Sequence, residues 1–150
     1  MKNIFKKVAA VVAATAVVMA GSVATAVPAS AAYLTWINED QVLSISNSRT
    51  AVSKDTSVGT VQVRFGTYQG RQYGWGRVLN GRSNYVLFFE VDTNGDRVMD
   101  EGDTAYITGG NPIWTWGAPT SSSSARAFRA CLLSPSQFSC SETSNRTAWW

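Results

Sequence analysis

The chain has 150 residues, no histidine, two cysteines, and 13 Lys and Arg against 10 Asp and Glu. Its length suits one ordinary domain, and the missing imidazole excludes a Ser-His-Asp triad, a Cys-His pair and the common histidine zinc sites. The formal charge of +3 belongs to the first residues: with Lys2, Lys6 and Lys7 set aside, ten basic groups face ten acidic ones, which argues against a nucleic-acid partner.

Those lysines precede an uncharged Ala/Val-rich run from Val8 to Met19, and Ala29-Ser30-Ala31 puts small residues where a signal peptidase reads. Residues 1–31 therefore read as a Sec-type signal peptide that is removed, leaving residues 32–150 as a single secreted, extracellular domain with no stable membrane insertion after cleavage. No cysteine stands directly after the cleavage region to accept a lipid.

Period-2 patterns dominate the rest. Val42 to Ile45 is a short strand candidate, and Val61, Val63 and Phe65 alternate with Gln62 and Arg64 as a half-buried strand does. Trp75 to Leu79 follows, then Asn80-Gly81, which signals a hairpin into Tyr85 to Val91, a short, nearly all-apolar run expected as a central strand. Thr104 to Ile107, Ile113 to Trp116 and Ala127 to Leu132 complete the strand candidates, with Gly-rich breakers and the Pro119 to Ser124 stretch between them. No segment carries a sustained 3.6-residue apolar period, so the fold class is all-β, a small antiparallel sandwich or barrel. In an oxidising compartment Cys131 and Cys140 are expected to form one disulfide. Closing so short a loop contributes roughly 2.5–3 kcal/mol in the chain-entropy model.

The run from Asp92 to Asp103 concentrates chemistry. Side-chain oxygens stand at its first, third, fifth, ninth and twelfth places, the spacing with which one loop wraps calcium: Asp92, Asn94, Asp96, Asp100 and Asp103, joined by the carbonyl of Val98. Arg97 occupies the sixth place, where glycine is usual, and Asp103 replaces the usual Glu, so the expected Ca2+ site is weak and structural. The loop resembles the EF-hand and dockerin-like calcium loops, and those of repeated β-domains on bacterial surface proteins. That resemblance implies the same oxygens as ligands. In general look the chain is similar to small secreted actinobacterial proteins.

All six tryptophans follow residue 31. Trp114 and Trp116, two apart on a strand, are expected to share a face, and with Trp75, Arg71 and Tyr73 they form the candidate ligand-binding surface, since flat aromatic faces and guanidinium groups suit sugars and anions. The remaining acids (Glu39, Asp40, Asp55, Glu90 and Glu142) sit in no recognisable catalytic motif, so no catalytic residue is assigned. The expectation is a non-catalytic, calcium-binding β-domain that binds an extracellular glycan or cell-surface component. Two alternatives are kept: an inhibitor or toxin acting on a secreted protein through the disulfide loop Leu132 to Ser139, and a carboxylate-dependent hydrolase.

Overall fold

The computed structural model describes residues 33–109 and 112–150. The expected signal peptide lies outside the described residues. Alternation fixes the faces of the strands: on β2 (Gly59–Tyr68) Val61 and Val63 point inward and are fully buried. On β4 (Val86–Asp92) Leu87, Phe89 and Val91 do the same. With β1 (Arg49–Thr56), β3 (Arg71–Leu79), β5 (Glu101–Tyr106), β6 (Ile113–Pro119) and β7 (Ala127–Leu133) they build two antiparallel sheets, ordered β1-β2-β3-β6 and β5-β4-β7. The inner faces meet in one core, where Val61, Val63 and Val78 of the first sheet pack against Leu87, Phe89, Phe128 and Leu132 of the second. Phe89 and Phe128 stack at its centre with ring centroids 5.5 Å apart. The all-β sandwich is thus as the alternation requires, and Cys131 and Cys140 are disulfide-bonded, with Cα atoms 5.5 Å apart.

Three local features depart from what the sequence pattern announces. Val42 to Ile45 is not a strand: Glu39–Leu43 is a short helix, α1, opened by a capping box in which Asn38 Oδ1 accepts from the Gln41 amide and Gln41 Oε1 accepts from the Asn38 amide. Asn80-Gly81 does not close a hairpin, because β3 and β4 belong to different sheets. The turn carries the chain across the sandwich, with Asn80 at φ +51° and Gly81 so close to Ile107 and Val78 that a Cβ would stand 3.0 Å from each. The third is β1, which no apolar alternation announces because it is a largely exposed edge strand.

The sandwich has two accessory layers. The segment from Ile37 to Ile45 lies on the outer face of the first sheet, where Ile37, Val42 and Ile45 bury Tyr73 and Trp75. It approaches so closely that a Cβ on Gly117 would stand 2.9 Å from Ile37. At the other end residues 145–150 run beside β7, with Leu132 donating to Asn145 O, Thr147 to Ala130 O, and Phe128 and Trp150 exchanging a reciprocal pair of backbone bonds. Trp150 stacks on Phe65 at 5.1 Å and tilts against Phe128 at 5.7 Å, which docks the chain end.

Candidate functional site

β4 delivers Asp92, fully buried, to the start of the acidic loop. Its Oδ1 accepts from the amides of Asn94 (3.0 Å) and Gly95 (2.7 Å), and its Oδ2 from the amide and the guanidinium of Arg97, each at 2.8 Å. Burial pushes the Asp92 carboxyl up, but the Gly95 amide, the Arg97 guanidinium and the Arg97 and Asn94 amides together outweigh it and hold the group below its ordinary value. Asn94 accepts from the Asp96 amide (2.9 Å), Asp96 from the Val98 amide (2.8 Å), and Asp100 Oδ2 from both the amide and hydroxyl of Thr93 (2.7 and 2.6 Å). Such successive side-chain-to-backbone turns are what short Asp/Asn runs favour.

Arg97 adopts the left-handed conformation of the sixth loop place, at φ +62°, and its guanidinium also donates to the Ser124 carbonyl at 3.3 Å. Asp103, at the twelfth place, has become part of β5 and accepts from the Trp116 amide at 2.8 Å. Glu101, which the spacing did not single out, receives the Leu34 amide and the Trp36 indole at 3.0 and 2.9 Å, tying the start of the described chain to β5. Among the described residues no group of three or more His, Cys, Asp or Glu side chains is arranged to hold a metal ion.

The aromatic platform is redistributed. Trp75 and Tyr73 are buried beneath α1 and present no face to a ligand, because the outer side of this sheet carries its own apolar cover. Trp114 is half-buried, while Trp116 is exposed. A bulge sets Thr115 and Trp116 together opposite Gly76, so the period-2 relation that would align the two tryptophans is broken. Arg71 stays outside, its guanidinium carbon 5.9 Å from the centre of the Tyr73 ring.

Of the acids set aside for a hydrolase, Asp55, Glu90 and Glu142 have partners of their own, Asp55 accepting from the Thr60 hydroxyl at 2.8 Å. Glu90, fully buried on the outer face of the second sheet, takes Arg129 Nε and Nη2 on one oxygen at 2.9 and 2.5 Å and the Cys140 amide on the other at 2.8 Å. Arg129 is in turn stacked under Trp149, 4.3 Å from the ring centre. Glu142 accepts from the Phe138 amide at 3.2 Å, and Glu39 and Asp40 occupy the first turn of α1.

What the sequence reading missed is a groove of about 710 Å³ on that same outer face. Its floor is Val86 and Phe88 of β4 with Leu133 of β7, and its walls are Tyr106 on β5 and the disulfide loop carrying Pro135, Gln137 and Phe138. Tyr106 and Phe138 stand at the rim, 75% and 78% exposed. Every residue lining the groove is uncharged, the polar ones being hydroxyls and amides such as Thr104, Ser134, Asn84 and Gln137. The loop wall is held rigid by the Cys131–Cys140 bridge, by Glu90 receiving the Cys140 amide, and by Gln137 bonding Ser134 and the Glu142 carbonyl. The only sequence signal for this site was an apolar residue on a disulfide loop, since its two walls, Tyr106 and the loop from Pro135, are 29 or more positions apart in the chain. Comparison with protein-family models, curated proteins and solved structures finds no match to this chain.

Proposed function

We propose that this protein is a secreted, non-catalytic binding module that takes an uncharged, ring-faced ligand, a segment of a neutral extracellular glycan, in the groove between Tyr106 and Phe138. The reading is carried by one observation: a concave apolar site with two exposed aromatic rings at its rim and hydroxyl and amide groups, but no charge, around it. Sugar rings present apolar C–H faces to aromatic side chains and hydroxyls to amides, and an unpaired charge in such a site would cost desolvation with no compensating gain. Titration of the protein with neutral oligosaccharides, read by calorimetry, tests it. Tyr106→Ala and Phe138→Ala are expected each to weaken binding at least tenfold, and saturable binding unaffected by both substitutions refutes the site.

A second reading rests on Phe138. It is an exposed aromatic on a loop rigidified at both ends, the kind of display an inhibitor of a secreted protein uses. Retention of a secreted hydrolase by the protein, abolished by Phe138→Ala and indifferent to Tyr106→Ala, would favour this reading over the glycan.

For the loop from Asp92 to Asp103 we propose a clasp between β4 and β5 in which Arg97 supplies the positive charge in the absence of metal. Calcium enters this reading as a weak competitor: Asp92, Asn94, Asp96, Asp100 and the Val98 carbonyl are its ligands only after Arg97 leaves Asp92, and Asp103, held by Trp116, contributes least.

A further inference from the structure

On the outer face of the first sheet, beside the area covered by α1, Arg64 of β2 and Arg77 of β3 are diagonal neighbours: Gln62 faces Arg77 and Arg64 faces Trp75 in the β2–β3 register. Arg64 donates from Nη1 to Thr50 Oγ1 at 2.6 Å and from Nη2 to Ser48 Oγ at 2.8 Å. Arg77 directs Nε and Nη2 at Gln62 Oε1, at 2.9 and 2.6 Å. All these acceptors are neutral. The ion pairs among the described residues are Arg97–Asp92 and Arg129–Glu90, so the charges of Arg64 and Arg77 have no carboxylate partner.

Both guanidiniums are half-buried, and burial lowers each pKa, with the Arg64 charge lowering that of Arg77 further. The chain therefore bears desolvation and mutual repulsion at this spot, although a carboxylate at Thr50, Ser53 or Gln62 would relieve both. Where it buries Arg129 against the other sheet it does supply the carboxylate, Glu90. A guanidinium has five N–H donors, and two are engaged in each arginine, so the pair keeps a fork of unused donors for planar or tetrahedral oxyanions. Trp114 stands directly across from Arg77 on β6, half-buried, with one side packed against the cluster of Ile37, Val42, Ile45, Tyr73 and Trp75.

We propose that Arg64 and Arg77 form an oxyanion site that takes a sulfate or phosphate group borne on a sugar, with the sugar ring against Trp114. This site lies on the opposite sheet from the neutral groove and stands or falls independently of it.

The test is an NMR titration of the isotope-labelled protein with glucose 6-sulfate, glucose 6-phosphate and glucose, following the Nε–H resonances of Arg64 and Arg77 and the indole of Trp114. The charged sugars are expected to shift all three at concentrations where glucose shifts none, and the relative response to the two identifies the preferred anion. Arg64→Gln and Arg77→Gln are each expected to weaken binding at least tenfold while changing the unfolding midpoint little, since the relieved repulsion offsets the hydrogen bonds lost to Thr50 and Ser48 or to Gln62 and no ion pair is broken. Equal response to glucose, response to neither anion, or variants that lose stability and retain binding would overturn the proposal. A single-stranded oligonucleotide that shifts the same resonances at lower concentration would overturn the sugar assignment.

Discussion

Arg97→Gly is the most informative perturbation of the acidic loop. Three terms oppose one another without metal. The Asp92–Arg97 pair is lost, but the Arg97 side chain is 45% exposed, so the pair is worth about 0.2–1 kcal/mol after solvent screening. The left-handed φ of +62° costs an L-residue about 1 kcal/mol, which glycine recovers. Glycine in turn loosens the unfolded chain by about 0.4–1 kcal/mol. The sum lies near zero, so the calcium-free variant is expected to unfold within a few degrees of the wild type. Calcium separates them: with Arg97 gone, free calcium tenfold above the dissociation constant stabilises by about 1.4 kcal/mol, a rise of roughly 5–8 °C for a domain this size. The wild type, in which calcium must first displace Arg97, is expected to rise by less than half as much. Thermal unfolding followed by circular dichroism, in chelator and in 10 mM calcium with magnesium as the control, reads all four states. Equal calcium shifts in the two proteins, or none in the variant, would refute the view that the arginine holds the cation's place.

Other consequences follow from the same structure. Because the Asp92 pKa is depressed in the folded state, its contribution is fully present above the unfolded value near 3.8 and is lost as pH falls through the lower folded value, so Asp92→Asn should flatten the acid limb of the stability profile below about pH 4. Glu90→Ala strands the half-buried Arg129 and should cost about 3–5 kcal/mol in chemical denaturation, whereas Glu90→Ala with Arg129→Met should recover a large part of that loss. Trp150, 39% exposed, keeps most of its ring against Phe65 and Phe128, so Trp150→Ala should cost about 2–3 kcal/mol, and an unchanged midpoint would show that the segment 145–150 is not part of the cooperative fold.

Legibility in the sequence followed the physics of each element. β2 was readable because its inward Val61 and Val63 alternate with polar Gln62 and Arg64, and β4 because it is a short, nearly all-apolar run buried on both faces. α1 was misread because Val42 and Ile45 are too few to display a helical period, though Asn38 and Gln41, three apart, carried the capping signal. At Asn80-Gly81 the turn chemistry was read correctly and its destination was not, since a left-handed residue marks a reversal without saying which sheet the chain enters next.

By itself the sequence determined the all-β class and the inward faces of the strands, because alternation is local and water enforces it residue by residue. It also marked the cysteine pair that the folded chain bridges. Only the tertiary structure decided what those residues face: Trp75 and Tyr73 lie under a helix, Arg97 is placed against Asp92, and Asp103 is given to Trp116. The uncharged groove and the unpaired arginines belong to that second category. Each is made by side chains from different strands, and their proximity is set by sheet order and register, which no local pattern along the chain encodes.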